Sequence, residues 1–408
     1  MRYFVPDWDD RVDPDYDFVT ERFTLVRDPH ASDLYAHEVF PDRVYDGILV
    51  SRMALGETGP KRIAVERIGM RAYLRLPPDL LLFGDSGAFG YLRDRLPRFG
   101  PEELVEYYER LEFDLGVSPD HAIVPEFSDQ QLFRYDLTLR NAEQFIQMHR
   151  ASNYTFTPVG AIQGWDTVSY VEAATALVAM GYNYLAIGGL ARSRTMMIEK
   201  IVSSVVTALP SLVRLHVFGV SRPTLLARFL ELGVESVDSA SPIRQAWLSS
   251  IDNYYAPHRT YAAIRIPVVD QERSKVGTLI NRSDASFSAL KVAEAEALAA
   301  VRDYDRGDLG LRATLGALAD LDRLLASRLD GQRAKQRFEL YRQTLRDKPW
   351  QRCPCTVCRD LGVEIILFRG NNRNRRRGFH NLWVLARQLE VRANEKQPQW
   401  LPARHVAS

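Results

Sequence analysis

The chain has 408 residues, of which 46% are hydrophobic, and its 53 Lys and Arg are balanced by 52 Asp and Glu to a net charge of +1. This balance excludes a uniformly basic nucleic-acid-binding protein, so any surface of that kind must be local. No stretch approaches the about 18–20 consecutive apolar residues of a membrane span, and the start MRYFVPDWDD lacks a signal-peptide pattern. We predict a cytoplasmic protein with one large barrel or two ordinary domains.

Residues 1–45 are rich in Asp, Tyr, Arg and Pro and keep neither a helical nor a strand period, so they are predicted to form an N-terminal extension. Beyond them, short apolar runs alternate with amphipathic stretches of helical length. The runs recur about every 20 to 40 residues, which is the size of a βα unit. They read GILVS, LLLFGD, HAIVPE, FTPVGAIQG, YNYLAIGG, RLHVFG and VESVD. The repetition predicts a (β/α)8 TIM barrel over residues 46–345.

Several of these runs end in side chains that are unusual for a purely structural strand end. These residues are Asp85, Glu126, Gln163, Gly188, Gly189 and Asp238. The active site of such a barrel is built at the carboxyl ends of its strands, so acids and an amide there indicate a site. The structural alternatives stay open: Asp238 can cap a helix near Pro242, the glycines can form only a tight turn, and Gln163 can be a buried amide.

Residues 283–348 follow a strong helical period and are rich in Ala and Leu, as in SALKVAEAEALAAVRDYD and LGALADLDRLLASRL. This pattern predicts a mostly helical segment. We expect it to complete the outer layer of the barrel and to lead into the cysteine-containing region. That region, residues 346–408, is predicted to form a zinc-binding subdomain with a C-terminal helix.

All three cysteines lie within six positions, as Cys353, Cys355 and Cys358, and His380 follows at the start of an apolar, helix-like run. Three thiolates and one imidazole complete a tetrahedral Zn²⁺ shell, and a shell without a vacancy is structural rather than catalytic. The alternatives are free thiols on a loop, or His405 as the fourth ligand. A disulfide is disfavoured because the number of cysteines is odd.

The segment between the metal ligands, FRGNNRNRRRGFHN, contains a dense group of arginines and no acid. We predict a loop that binds nucleic-acid phosphates, fixed in position by the neighbouring metal site. The alternative is a solvated, flexible basic loop. The arginines are Arg369, Arg373, Arg375, Arg376 and Arg377.

Five motifs in order resemble those of the tRNA-guanine transglycosylases. DSGAFGY, GAIQGW, YLAIGGLA and SVDSASPIR are similar to that family's base-binding and nucleophile segments, and CPCTVC with HNL is similar to its zinc signature. The matches run from about residue 80 to residue 385. The resemblance implies a zinc-bearing (β/α)8 barrel that exchanges guanine in a polynucleotide for a 7-deazaguanine without breaking the backbone.

The resemblance also implies roles for individual residues. Asp238 is similar to the nucleophile and Asp85 to the aspartate of proton transfer. Glu126 stands where the family has an aspartate that reads the guanine edge, with Asp129 in reserve. The other residues expected to line the base pocket are Ser86, Gln163, Gly188, Gly189 and Leu190. Displacement of a base from a sugar needs such a carboxyl pair, one to trap C1′ and one to manage the proton.

Three departures from the family pattern concern the substrate. Ala88 and Gly90 replace a glycine and the glutamine of DSGGFQ, and Trp165 replaces the second glycine of QGG. Together with the basic loop and the start YFVPDWDD, they resemble the DNA-guanine transglycosylases of 7-deazaguanine DNA modification systems. We therefore expect insertion of a preQ0-type base into DNA. A tRNA enzyme and a non-catalytic nucleic-acid-binding subunit are the alternatives. The resemblance also implies an ATPase partner protein, whereas the sequence leaves a homodimer undecided.

Overall fold

The structure is a computed structural model, and it describes residues 1–56, 58–269, 286–325 and 331–395. The chain forms two compact units. The first contains Met1–Asp9, Tyr45–Ala240 and the described residues from Ala386 to Glu395, and the second contains the described residues of Asp10–Val44 and Ser241–Leu385. Both units are therefore built from segments that are distant in the sequence.

The first unit contains a closed barrel of eight parallel strands. Each strand pairs with the next along the chain, and the last closes on the first, where Asp238 is in register with Phe4. The predicted TIM-barrel fold is confirmed. Because the strands are parallel, their carboxyl ends share one end of the barrel, which we call the mouth. The strands are β1 (Arg2–Pro6), β2 (Gly47–Ser51), β3 (Leu81–Asp85), β4 (Leu115–Val117), β5 (Thr157–Ile162), β6 (Tyr184–Ile187), β7 (Arg214–Val217) and β8 (Ser236–Asp238).

The helices of the first unit connect these strands. Several begin at a proline, which lacks the N–H that a first helical turn leaves unpaired. Asp166 and Ser169 form a reciprocal capping box that starts another. The helices are Arg52–Leu55, Pro60–Ile68, Met70–Tyr73, Pro101–Arg110, Gln131–Ala151, Thr167–Ala179, Thr195–Ala208 and Pro223–Leu232, with 3₁₀ helices at Ala88–Tyr91 and Pro125–Gln130.

Buried apolar side chains fill the barrel interior. Phe4 and Phe83 pack edge to face with ring centroids 5.0 Å apart. On the outer face of the strands, glycines let a helix pack closely: a Cβ on Gly84 or Gly116 would lie 2.2 or 2.4 Å from the ring of Tyr108 in the helix Pro101–Arg110. A core packed this closely gives the residues at the mouth a rigid base.

Two strands differ from the prediction. β1 lies in the predicted N-terminal extension, where five residues are too short for a recognisable period, although β1 is paired on both sides. The fourth strand is β4, not HAIVPE, because after Ser118 the chain runs without regular structure to the 3₁₀ helix at Pro125. The barrel strands end at Asp238, so the predicted barrel limits of 46 and 345 are corrected at both ends.

The second unit is mainly helical. The helices predicted within residues 283–348 are present in its described part, but they belong to this unit and not to the barrel unit. Among the described residues, no helix is both long and apolar enough to cross a membrane. The helices are Ala36–Val39, Ser241–Leu248, Phe287–Arg306, Leu311–Leu325, Gly331–Asp347, Pro349–Arg352, Thr356–Leu361 and the part of Asn371–Glu395 up to Leu385, with a 3₁₀ helix at Gly362–Ile366 and strand pairs Tyr254–Ala256 with Arg259–Tyr261 and Ile264–Arg265 with Leu367–Phe368.

Candidate functional site

The three cysteines and His380 meet at one point of the second unit. His380 Nδ1 lies 3.6 Å from Cys353 Sγ, 3.5 Å from Cys355 Sγ and 3.3 Å from Cys358 Sγ, and all four ligand atoms are within 4.8 Å of one another. Zinc bonds of about 2.3 Å to sulfur and about 2.05 Å to nitrogen in a tetrahedron separate nitrogen from sulfur by about 3.6 Å. The residues can therefore hold a tetrahedral metal ion.

Contacts behind the ligands fix their orientation. His380 Nε2 lies 2.8 Å from the carbonyl oxygen of Tyr255, which leaves Nδ1 facing the sulfurs, and its ring stacks on Tyr254 at 4.1 Å. The Asn381 side chain accepts from Tyr255 N and donates to Pro242 O, both at 2.9 Å. Because four protein ligands complete the set, the site is built for structure and leaves no position for a reacting water. His405, the alternative ligand, lies outside the described residues.

A group of three acidic side chains lies at the mouth of the barrel. Asp85 ends β3, Asp238 ends β8, and Asp120 follows β4 by three residues. We call these three residues the carboxylate cluster. Burial, together with the nearby charges of Asp120 and Asp238, raises the pKa of Asp85 from its usual 3.8 to about 8. Asp85 is therefore largely protonated at neutral pH and can exchange a proton with a ligand.

Asp120 is fixed by hydrogen bonds from two neighbouring strand ends. Its Oδ2 accepts from Gln163 Nε2 at 2.6 Å, and its Oδ1 accepts from Ser86 Oγ at 3.1 Å. Tyr91 holds both Ser86 and the Asp120 backbone in place, since its hydroxyl lies 2.8 Å from Ser86 Oγ and donates to the Asp120 carbonyl at 2.9 Å. Burial raises the pKa of Asp120, and the two side-chain bonds oppose that rise. The carboxyl group is thus held in one orientation.

Asp238 is held by one of its two oxygens. Gly219 N donates to Oδ1 at 2.9 Å, and His216 Nε2 lies 3.2 Å from the same atom. Behind the imidazole, Ser236 Oγ lies 2.7 Å from His216 Nδ1 and 2.6 Å from Tyr184 OH. Within the described residues, Asp238 Oδ2 makes no hydrogen bond. The carboxylate is therefore both oriented and available on one side, as a nucleophile must be.

The glycine pair after β6 makes room for Gln163. A Cβ on Gly188 would lie 2.2 Å from Gln163 Nε2, and one on Gly189, whose φ is +77°, would lie 3.0 Å from Gln163 Oε1. Tyr170 OH donates to the Gly188 carbonyl at 2.9 Å and holds the turn. Gly189 thus needs both the left-handed backbone and the missing side chain. Leu190 follows as a buried residue.

Asp120 is the acid that the sequence prediction missed. Glu126, predicted to read the guanine edge, has a side chain 58% exposed and pairs with Arg192 at 3.4 Å, and Asp129 is also exposed. Neither belongs to the carboxylate cluster. The sequence signal for Asp120 was its position as the first acid after the strand LGV. Because HAIVPE was interpreted as the strand instead, the acid was expected at Glu126.

The predicted basic loop is wrong. Four of its arginines lie in the first turns of the C-terminal helix Asn371–Glu395, Arg369 lies two residues before it, and most of the five are buried. Arg369 pairs with Glu21 and with Glu294 at 2.7 Å, and Arg373 pairs with Glu21 at 2.6 Å and with Glu364 at 2.7 Å. We call these five residues the arginine cluster. Its acids come from distant parts of the sequence, so the local run looked unpaired.

The remaining three arginines of that run also bind within the second unit. Arg377 is 0% exposed and donates to the carbonyls of Ile365 and Ala246, and burial lowers its pKa to about 9. Arg376 is buried and donates to the carbonyl of Asp13 at 2.8 Å. Arg375, more exposed than the others, donates to the Arg11 carbonyl at 3.0 Å. These bonds leave the run without a free phosphate-binding surface.

Comparisons with known proteins identify the family to which the chain belongs. Residues 92–251 match the family described as Queuine tRNA-ribosyltransferase. The chain is 36% identical to a DNA-guanine transglycosylase of Salmonella montevideo over 96% of this chain and 97% of that one. It is 26% identical to a tRNA-guanine(15) transglycosylase of Methanococcus aeolicus, over 48% of this chain and 30% of that one. A tRNA-guanine(15) transglycosylase of Pyrobaculum aerophilum is also 26% identical, over 46% and 38%.

The closed parallel barrel, the acids at its mouth and these matches define a base-exchanging enzyme, a pentosyltransferase of the guanine transglycosylase class. The chain belongs to the tRNA-guanine transglycosylase superfamily, and it is similar to the DNA-guanine transglycosylase over nearly its whole length.

Proposed function

We propose that this enzyme replaces guanine in DNA with a 7-deazaguanine base of the preQ0 type through a covalent aspartyl–nucleoside intermediate. The observation that carries the proposal is the carboxylate cluster at the barrel mouth. It contains the oriented Asp238, the protonated Asp85 and the buried Asp120. The preference for DNA over tRNA rests on the match that spans nearly the whole chain, since the tRNA enzymes match less than half of it.

Asp238 is proposed as the nucleophile. Its free oxygen attacks C1′ of the target nucleoside from the face opposite the base, forming the O–C1′ bond as the C1′–N9 bond breaks. Gly219 N–H and His216 hold the other oxygen, so the carboxylate needs no reorientation. The electron pair of the broken bond leaves with guanine, whose nitrogen then requires a proton.

Asp85 is proposed to supply that proton. With a pKa of about 8 it carries a proton at neutral pH, transfers it to the departing guanine, and becomes a carboxylate. It then takes the N9 proton of the incoming 7-deazaguanine, whose nitrogen attacks C1′ and releases Asp238. The two displacements restore both acids to their starting forms and retain the configuration at C1′.

Base recognition is assigned to the residues around Asp120. A carboxylate accepts from the N1–H and the 2-amino group of guanine, and Asp120 is held by Gln163 and Ser86 in a fixed orientation. Gly188, Gly189 and the buried Leu190 form the adjoining turn. A 7-deazaguanine has the same hydrogen-bonding edge as guanine, so one pocket can accept the leaving and the incoming base.

We propose zinc as the metal held by Cys353, Cys355, Cys358 and His380, because three thiolates and an imidazole at tetrahedral spacing are a typical structural zinc set. Its role would be to join the two short cysteine-bearing segments to the C-terminal helix. Metal analysis of the purified protein should find about one equivalent of zinc, and Cys355→Ser should lower it. Well under one equivalent in the wild type would contradict this assignment.

Base exchange tests the proposal directly. The purified enzyme, alone and with candidate ATPase partners, is incubated with labelled preQ0 or guanine and with duplex DNA, single-stranded DNA or tRNA. We expect label in DNA, and a covalent enzyme–DNA adduct that depends on Asp238. Asp129→Asn, which removes an exposed acid outside the cluster, is the matched control. Label in tRNA alone would favour the second candidate, tRNA-guanine exchange, which the family match at residues 92–251 supports.

A further inference from the structure

We infer that Trp165, Arg192 and Arg194 form a nucleotide-binding rim at the barrel mouth, in which the indole stacks on a base next to the target and the two guanidinium groups contact the adjoining phosphates. This inference rests on the proposed function and adds how the strand is held. It assigns the polynucleotide to the loops after β5 and β6, in place of the buried run in the C-terminal helix.

The position of these residues follows from the barrel topology. Trp165 comes two residues after Gln163, just past the carboxyl end of β5. Arg192 and Arg194 lie between β6 and the helix Thr195–Ala208. Because β5 and β6 are paired neighbours, their loops emerge side by side at the mouth. A target base bound beside Gln163 and Gly189, at the ends of these same strands, would place its neighbours in the polynucleotide within reach of these loops.

Trp165 is exposed but held in place. Trp165 is 38% exposed, and its ring packs edge to face on Tyr135 with ring centroids 5.4 Å apart. Its backbone N donates to Ser169 Oγ at 3.0 Å, inside the capping box that Asp166 makes with Ser169. A large aromatic ring that is fixed in place and open to solvent is suited to stacking, because little entropy is lost when a base binds.

The two arginines differ from those of the arginine cluster in being exposed. The Arg192 side chain is 70% exposed, and its partner Glu126 is exposed too, so that ion pair stabilises little and can be exchanged for a phosphate. Arg194 is exposed and makes no ion pair within the described residues. Exposed cations beside an exposed aromatic ring are the combination that binds single-stranded nucleic acid.

Binding of a labelled, guanine-containing single-stranded DNA oligonucleotide tests the rim without requiring chemistry. Trp165→Ala should weaken binding about 5- to 100-fold and leave the salt dependence unchanged, whereas Trp165→Phe should bind within a few-fold of the wild type. The double variant Arg192→Ala with Arg194→Ala should lower the slope of log K against log salt by about 1.4, or about 0.7 for each lost phosphate contact.

Two residues at the opposite end of the barrel provide matched controls. Leu212 is 89% exposed just before β7, and Arg2 starts β1 in an exposed pair with Glu235. Leu212→Ala and Arg2→Ala should leave binding and its salt slope unchanged. If Trp165→Ala binds as the wild type does but unfolds at a lower temperature, the ring only packs on Tyr135 and the inference is overturned.

The outcome is separable from that of the proposed function. If the wild type binds DNA and the rim variants weaken binding, the rim is supported even where no base exchange is found. If the wild type binds tRNA and not DNA, the DNA assignment fails, and the same variants measured on tRNA decide the rim. Unchanged tRNA binding by those variants would overturn it.

Discussion

The carboxylate cluster and the arginine cluster both bring ionisable side chains together, but only the arginine cluster pairs each charge with an opposite one. In the arginine cluster each buried guanidinium is matched by glutamates at hydrogen-bonding distance. In the carboxylate cluster three acids share the barrel mouth, and within the described residues no lysine or arginine pairs with any of them. The first arrangement neutralises charge, whereas the second concentrates charge of one sign.

This difference indicates that the arginine cluster serves the stability of the fold, whereas the carboxylate cluster serves chemistry. A paired cluster can hold distant segments together, here the segment near Glu21 and the start of the C-terminal helix. An unpaired cluster costs folding free energy, because buried acids resist ionisation, and it is retained where a raised pKa has a use. Dense charge in a sequence therefore indicates function only when the structure leaves it unbalanced. Substitutions in the two clusters should accordingly have effects of different kinds.

The largest effect is expected for Asp238→Ala. Removal of the nucleophile should lower base exchange by at least about a thousandfold, while the dissociation constant for DNA stays within a few-fold, because the carboxylate acts only after the nucleoside has bound. Single-turnover exchange and equilibrium binding measure the two effects separately. Asp129→Ala should change neither. Substantial exchange by Asp238→Ala would show that another group attacks C1′.

The next largest effect is expected in the arginine cluster. Arg373→Ala should lower the free energy of unfolding by about 3–5 kcal/mol, because it leaves Glu21 and Glu364 partly buried with fewer cationic partners. Arg375→Ala is the matched control in the same helix, and its more exposed side chain should make the change less than about 1 kcal/mol. Urea unfolding checks both values. Equal effects would mean that burial of the pairs contributes nothing.

The parts of the fold that repeat, and the ligands that lie close together in sequence, were predictable. Most βα units can be recognised from apolar runs followed by amphipathic helices. Cys353, Cys355 and Cys358 lie within six positions. Asp85 and Asp238 could be identified because each directly ends a recognisable strand. In each case the signal is local, so no knowledge of distant contacts is needed.

The errors concern contacts between distant residues. β1 is only five residues long, and its place in the barrel depends on pairing with β8, more than 200 residues away. The glutamates that neutralise Arg369 and Arg373 include Glu21, nearly 350 residues away. Asp120 was missed because the three-residue β4 is too short to show alternation. A local pattern contains no information on the first two, whereas the third was present locally but too short to be recognised.

Asp85→Asn should have an effect on stability opposite in sign to that of Arg373→Ala. The folded-state pKa of Asp85 is raised, so below about pH 3 the group is protonated in both states and costs almost nothing. As pH rises to about 8, only the unfolded state ionises, which disfavours folding. The variant should thus gain about 1–3 kcal/mol of stability at pH 8 and almost nothing at pH 3, a range reduced because Asp85 is partly exposed.

The same variant should lose at least about a hundredfold in base exchange, because an amide cannot transfer the proton. In the wild type, exchange limited by guanine departure should fall as pH rises above about 8, when Asp85 loses its proton. Urea unfolding at the two pH values and a pH–rate profile measure these effects. A variant that is destabilised at pH 8 would show that Asp85 is held by contacts that favour its charged form.

The smallest effect is expected for His216, which is proposed to position Asp238 rather than to react. The imidazole is 0% exposed, packs edge to face on Phe83 and Phe218, and lies between Asp238 and Ser236. Because Gly219 N–H still donates to the carboxylate when the imidazole is lost, orientation should be weakened but not abolished.

His216→Gln should lower kcat about tenfold with KM nearly unchanged, since the lost contact restrains the nucleophile and touches no part of the base pocket. His216→Phe keeps the ring and its packing but removes both hydrogen bonds, so it should be slower than His216→Gln if positioning is the role. If the two variants are equally slow and equally destabilised, the ring only fills the core. Steady-state kinetics together with thermal unfolding of both variants distinguishes the two outcomes.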